Sequence, residues 1–250
     1  VSEKTHSSAD ADALITQIEA LNAEKQQLIS LVSHDLRSPL NRAFALSELL
    51  LMDADTLNSF QKDYLEKMRL VIADGLAMMR NLVDYRNLEF KSIDIRPERV
   101  NLPEFVDKMV HEFKPTATKK QLRIQVEHRN ANVIITTDKQ CLDRVLSNLV
   151  SNACKFSKAD QLISIRSGLT SDNKFQIDIQ DEIGGFDESE YRTLFSKFQK
   201  YAAEPTGNES STGLGLFIAK SMANRIDATL ECKTVEGVGS TFIVTLPVSS

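Results

Sequence analysis

Cysteine is scarce and odd in number: Cys141, Cys154 and Cys232 are the only three. They share no metal-ligand spacing, which excludes a zinc cluster and a disulfide framework and predicts buried, reduced thiols of a cytosolic protein. The four histidines include no pair at the spacing of a helical zinc motif. No apolar run comes near the ~20 residues that span a bilayer. The first residues are polar and mixed in charge, so neither a membrane span nor a secretory signal is expected. A basic excess is also missing. The formal net charge is -5, which speaks against nucleic acid or an anionic membrane as a partner recognised through bulk charge. What remains is 250 residues, 42% of them hydrophobic, enough for one large or two medium domains with true cores.

The N-terminal third is helical by periodicity. From about Ala9 onward, Leu14, Ile18, Leu21, Lys25, Leu28 and Val32 follow alternating steps of four and three. That is an a/d seam with Lys25 as its one polar interruption. The seam runs without a stop into Ser33-His34-Asp35-Leu36-Arg37-Ser38-Pro39-Leu40, predicting one helix of about 45 residues, bent near Pro39. With Val32 at zero and about 100° per residue, Leu36, Ala43 and Leu50 make an apolar stripe expected to face a core. His34 points about 200° away, beside Ser38 and Asn41 on the wetter face. An imidazole held outside the core beside the Asp35 carboxylate can keep a lone pair free and lose a proton as it attacks. A lone His-Asp pair is also what any solvated, charged helix face presents, so other residues must decide.

Asp53-Ala54-Asp55-Thr56 reads as a tight turn with Asp55 or Thr56 as helix cap. A second helix is expected over 57–89, with Phe60, Leu65, Met68, Ile72, Met79, Leu82 and Val83 among its apolar positions. Two long helices and a short loop make an antiparallel hairpin. One hairpin leaves apolar surface uncovered, so a homodimer closing a four-helix bundle is the natural solution.

The pattern breaks across 90–102, where Pro97 is followed by Pro103; this is the expected linker. Beyond it, helices are predicted over 103–119, 139–156 and 213–225. Strands are predicted near 122–127, 133–136, 162–169, 175–180, 229–233 and 241–247. Phe175, Ile177 and Ile179 alternate with polar residues, as in a sheet covered on one face. Residues 182–212 read mostly as loop, with a short helix at about 188–198. The fold class is α+β: a helical-hairpin dimerisation domain over 1–89, then an α/β sandwich over 103–250 with helices layered on one sheet face.

A second constellation lies in that sandwich. Asn148, Asn152 and Lys155 stand at i, i+4 and i+7 on one helical face. Two amide oxygens and an ammonium suit Mg²⁺ and phosphate oxygens. Asp181 ends the alternating strand, where a carboxylate can accept from an exocyclic amine such as adenine's, and Gly184-Gly185 follow. Thr212-Gly213-Leu214-Gly215-Leu216 then opens an apolar helix, whose N-terminus offers donors and positive potential to phosphates.

In this order the motifs resemble the catalytic core of a sensor histidine kinase of a two-component system. HDLRSPL is similar to that family's H box, NLVSNACKF to its N box, LFSKF to its F box and STGLGL to its second glycine box. Gly237-Val238-Gly239-Ser240-Thr241-Phe242 matches the usual ending, and the resemblance spans about residues 25 to 247. It implies a dimerisation and phosphotransfer hairpin followed by a Bergerat-type ATP-binding domain of the GHKL superfamily. By that resemblance His34 is the phosphoacceptor and Asp35 the acid that orients and deprotonates it. Asn152 binds Mg²⁺ with help from Asn148, Lys155 and Lys200 meet phosphates, and Phe156 flanks the nucleotide. Asp181 reads the adenine amine, with Gly185 in the loop behind it, and Thr212, Gly213, Leu214 and Gly215 form the end of the lid. Two positions depart from the pattern. Ile183 stands at the first glycine of Asp-x-Gly-x-Gly, and Ser38 stands where members that dephosphorylate their partner carry Thr or Asn.

The resemblance implies ATP-dependent autophosphorylation of His34 and transfer to an aspartate on the receiver domain of a response regulator. It implies a cytoplasmic homodimer that binds no nucleic acid and meets a membrane only through an upstream sensor region. The alternatives are an ATP-impaired relay or scaffold, which Ile183 favours, and a GHKL chaperone or topoisomerase-type ATPase, which the H box opposes.

Overall fold

The computed structural model describes residues 2–52, 57–89, 94–201, 203–206 and 211–248, in two compact units, Val1–Phe90 and Lys91–Ser250. The turn expected at 53–56 lies outside the described residues.

The first unit is a pair of helices, α1 (Ser2–Met52) and α2 (Ser59–Glu89). α1 is longer than its seam predicts and runs through Pro39 as one element. α2 is capped by Asn58, whose Oδ1 accepts from the Gln61 N–H at 2.9 Å while Gln61 Oε1 accepts from the Asn58 N–H at 3.0 Å. This reciprocal pair is a capping box, and it corrects the expected cap at Asp55 or Thr56.

The side chains that α1 buries differ from those its hydrophobic stripe suggested. Among its described side chains Ser33 and Ser47 are the buried ones, with Leu40, Phe44 and Leu51 half-buried on the same face. α2 buries Ile72, Leu76 and Tyr85. Val32, Leu36 and Leu50 remain exposed. A one-residue step turns the face by about 100°, so small serines sit between the two helices of one chain and the bulky stripe faces outward. Arg69 to Glu48 at 2.6 Å and Lys25 to Glu89 at 3.8 Å tie α1 to α2 at the surface.

The second unit holds β1 (Pro97–Asn101), α3 (Leu102–Lys119), β2 (Arg123–His128), β3 (Ile134–Asp138), α4 (Lys139–Phe156), β4 (Leu162–Leu169), β5 (Lys174–Asp181), α5 (Glu188–Arg192), α6 (Gly215–Arg225), β6 (Thr229–Val235) and β7 (Gly239–Pro247). β1 falls within the stretch expected as linker and pairs antiparallel with β3, Arg99 opposite Thr136. Pro97 is tolerated because it opens the strand. The main sheet runs β2-β4-β5-β7-β6; β2 and β4 are parallel and the other pairs antiparallel.

One face of that sheet carries the core. Ile163 and Ile165 of β4, Phe175, Ile177 and Ile179 of β5, Leu230 of β6 and Val244 and Leu246 of β7 are fully buried, each set spaced by two as the pleat requires. Leu142, Val145, Leu146 and Leu149 of α4, Val106 of α3 and Ile218 and Ala219 of α6 are buried as well. Asp138 starts α4 by accepting from the Cys141 N–H at 2.8 Å, and its other oxygen accepts from the Arg96 N–H at 2.7 Å. Its carboxyl lies below the usual range: those backbone donors outweigh the burial that opposes them. α5 is shorter than the helix expected to 198. It opens with a capping box between Asp187 and Glu190 and ends where Tyr201 donates to the Thr193 carbonyl at 2.9 Å.

Candidate functional site

On the hairpin, His34 has 84% and Asp35 64% of its side chain exposed, and His34 Nδ1 lies 3.1 Å from Asp35 Oδ1. Ser38, one turn further along α1, is exposed too. The placement follows from the serine face. Ser33 is turned toward α2, so the next residue is carried about 100° round into solvent.

In the second unit, α4 and α6 pack side by side and bring two sequence-distant motifs together. A Cβ built on Gly215, the first residue of α6, would lie 3.7 Å from both Asn148 Oδ1 and Asn152 Nδ2. Asn148 is buried, and its Nδ2 donates to the Arg144 carbonyl at 2.8 Å. Its one NH₂ is thereby turned into its own helix, and Oδ1 is aimed at the start of α6. No side chain caps α6, and a helix N-terminus presents N–H groups without intrahelical partners. The result is amide oxygens beside a positive helix end, a donor set that fits a hard cation shared with phosphate oxygens. No group of three His, Cys, Asp or Glu side chains that would hold a metal by itself exists among the described residues.

The turn before α6 is fixed by a backbone contact. Gly213 has φ +67°, and a Cβ there would fall 2.6 Å from the Phe198 carbonyl carbon and the Gln199 oxygen. Phe198 itself sits at φ 60°. LFSKF and STGLGL thus meet at one point, which only glycine permits. Leu214 N–H donates to Thr212 Oγ1 at 3.3 Å. Lys155 Nζ lies 5.8 Å from the centre of the Phe156 ring. Lys200 is exposed, and no hydrogen bond or ion pair ties it to the other candidates among the described residues.

Asp181 ends β5, buried to 5% exposure. Its Oδ1 accepts from the Ile183 N–H at 3.2 Å and the Ser240 N–H at 3.3 Å. Burial still pushes its carboxyl up to about 6, against those two donors. Behind it, β7 is opposite in register, Asp181 to Ser240. Gly239 crosses the Asp181 backbone so closely that no side chain would fit. Thr234 of β6 receives the Phe186 N–H at 2.8 Å and lies 3.1 Å from Ser240 Oγ. In sequence the 237–242 segment reads only as an ending; its place as the wall behind Asp181 comes from the strand pairing.

Ile183 at a glycine position is expected either to be strained at positive φ or to pass the bend to Gly184, and the structure shows the second. The loop takes its left-handed turns at Gly184 (φ +102°) and Gly185 (φ +74°), while Ile183 lies outside that region. Gly185 is also packed against Val235 and Thr234 so that a Cβ has no room. The bend has moved to glycines that are present, and the β-branched residue carries no backbone strain there. Ile183→Gly is therefore expected to leave affinity for a non-hydrolysable ATP analogue within about twofold of the parent. Tightening by a decade or more in a titration would show that the isoleucine obstructs the site.

Two family models match the chain. One, described as His Kinase A (phospho-acceptor) domain, matches residues 24–89. The other, described as Histidine kinase-, DNA gyrase B-, and HSP90-like ATPase, matches residues 137–250. The chain is 28% identical over 243 residues to hybrid signal transduction histidine kinase B of Dictyostelium discoideum, covering 95% of this chain and 12% of that protein. It is 27% identical over 231 residues to the sensor protein EvgS of Escherichia coli K12, covering 90% of this chain and 19% of that one. The chain thus spans less than a fifth of the length of either relative. Among solved structures, full-length ShkA in complex with AMPPNP shares the fold, with a TM-score of 0.69 at 20% identity over 90% of this chain and 46% of that one.

Proposed function

The chain belongs to the sensor histidine kinases, with a phospho-acceptor hairpin followed by a GHKL ATPase domain, and we propose that it phosphorylates its own His34 from ATP and passes the phosphoryl group to an aspartate on the receiver domain of a response regulator. The observation that carries this reading is the exposed His34 ring with its Nδ1 against Asp35. With a carboxylate as acceptor, Nδ1 carries the proton and Nε2 presents a lone pair to solvent. Nε2 forms the N–P bond as the bond from the γ-phosphorus to the β–γ bridging oxygen breaks and ADP leaves. Asp35 stabilises the positive charge that the ring gains and accepts the Nδ1 proton.

In the second unit, Asp181 accepts from the adenine amine through the oxygen that its backbone donors leave free. Phe156 flanks the nucleotide, Lys155 and Lys200 meet phosphates, and Thr212 to Gly215 close against them with the α6 N-terminus. A Mg²⁺ ion held by Asn152 and Asn148 would offset phosphate charge. Incubation with γ-labelled ATP and Mg²⁺ tests the reading. The label should be base-stable and acid-labile and should leave the protein when an acceptor receiver domain is added. Phosphate release with no labelled protein would sink it in favour of a simple ATPase. The scaffold alternative loses its basis with the unstrained Ile183.

The dimer follows from the same hairpin. Leu14, Ile18, Leu21, Leu28, Val32 and Leu36 are all exposed, and a second copy of the seam would cover them. Leu21 and Leu28 replaced together by Glu should convert a dimer at micromolar concentration into a monomer in sedimentation, because unpaired charges are costly to bury. A monomeric parent under those conditions would remove the four-helix bundle from the reading. No helix among the described residues is long and apolar enough to cross a membrane. A cytoplasmic location suits the chain, with any membrane link made by a sensor region outside it.

A further inference from the structure

The last turn of α4 carries two of the side chains assigned to ATP, Lys155 and Phe156, and its carbonyls are capped from elsewhere in the fold. Lys120, the residue after α3, places its Nζ 3.1 Å from the Cys154 carbonyl, 3.1 Å from the Lys155 carbonyl and 3.2 Å from Thr206 Oγ1. Thr206 donates its N–H to the Lys155 carbonyl at 3.0 Å and its hydroxyl to the Ser157 carbonyl at 2.9 Å. A helix C-terminus leaves its last carbonyls without intrahelical partners and carries negative potential. Here one ammonium and one threonine, 34 and 52 residues from Cys154 in sequence, satisfy them together. The hydroxyl that caps α4 also accepts from the ammonium, so the three segments share one bonded cluster.

We propose that Lys120 and Thr206 are positioning residues for the phosphate end of the nucleotide, acting through the α4 C-terminus rather than by touching the ligand. Their bonds hold the turn on which Lys155 and Phe156 stand and tie residues 203–206 to it. The adenine end, read by Asp181 between β5 and β7, has no part in this cluster. The inference rests on the ATP reading above and narrows it: loss of the cluster should weaken binding in proportion to the phosphates the ligand carries.

The test compares Thr206→Val and Lys120→Met with the conservative Thr206→Ser and Lys120→Arg, each titrated with adenosine, ADP and a non-hydrolysable ATP analogue in Mg²⁺. Each disruptive variant is expected to bind the ATP analogue about tenfold more weakly, as for a lost hydrogen bond to a charged group, and adenosine within twofold of the parent. The conservative pair should restore most of the loss. In labelling kinetics the KM for ATP should rise with kcat near the parent value, since the groups bind ground state and transition state alike. Equal loss for adenosine and the ATP analogue would mark general loosening of the fold and overturn the proposal. So would unchanged affinity for all three ligands. A parent that binds none of them would overturn the kinase reading itself.

Discussion

His34→Gln is expected to abolish incorporation of label from γ-labelled ATP while leaving nucleotide affinity and the dimer intact. The side chain is exposed, so its replacement opens no cavity and removes no buried contact, and surface changes of this kind alter stability by about 0.5 kcal/mol or less. Glutamine keeps a polar amide of similar reach and lacks a nucleophilic lone pair on nitrogen. Asp35→Asn separates nucleophile from orienter. An amide oxygen there still accepts from Nδ1–H and holds the ring, but it no longer offsets the charge that develops, so labelling should slow by about 10²- to 10⁴-fold, the range for an acid–base group. Undiminished labelling of His34→Gln would place the acceptor elsewhere and end the assignment. Labelling of Asp35→Asn at the parent rate would leave Asp35 as a neighbour only.

Asp181→Asn should lose nucleotide binding and gain stability. Folding raises the Asp181 carboxyl to about 6 from 3.8, so the folded state holds its proton more tightly than the unfolded one. Stability from this group is therefore fully present below about pH 4 and is lost as pH rises through 6. Above that, the buried charge costs about 3 kcal/mol, at ~1.4 kcal/mol per unit. Asparagine removes the charge and keeps an oxygen for the Ile183 and Ser240 N–H groups, so urea denaturation should show the variant more stable at pH 7.5 and equal at pH 4. For the ligand the change runs the other way. An amide NH₂ would then face the adenine amine, two donors without an acceptor, and a site built to accept rejects such a mismatch by about a hundredfold or more. The parent should likewise bind the ATP analogue less well below pH 6, as its free oxygen takes a proton. Parent-like affinity in Asp181→Asn, with no such fall on acidification, would remove the adenine role from Asp181. A variant less stable than the parent at pH 7.5 would mean that the carboxylate stabilises the fold.

Where local signals were strong, the sequence was enough to draw the elements. The helix predicted over 139–156 is found as α4 with those bounds, because Asp138 is a capping residue and the apolar spacing inside is regular. β5 followed from the alternation of Phe175, Ile177 and Ile179. What could not be read were choices made between segments. The face that α1 turns to α2 combines Ser33 and Ser47 with the half-buried Leu40, Phe44 and Leu51, and no hydrophobicity pattern selects the two serines over the neighbouring stripe of Val32, Leu36 and Leu50. The left-handed turns at Gly184 and Gly185 depend on how the loop meets β6, so the dihedrals of Ile183 are not legible from its place in a motif. Lys120 and Thr206 lie too far apart in sequence for any local rule to join them. Asn148, Asn152 and Gly215 were legible as candidates by type and spacing, but their meeting at the start of α6 is a product of helix packing.

The continuity of α1 through Pro39 has a mechanical side. Proline has no N–H to give to the carbonyl four residues before it, which here is that of Asp35. The hydrogen-bond ladder is thus interrupted one turn after His34, and no proline lies in α1 before it. With that bond missing, the helix would resist bending and twisting less just beyond the imidazole than on the approach to it. A twist applied to the seam near Leu14 or Leu21 would then be carried to residue 34 by the unbroken ladder, with Pro39 letting the following segment lag behind. The ring of His34 would therefore rotate with the N-terminal part of the rod, and its azimuth would change before the lower half of the hairpin has to repack.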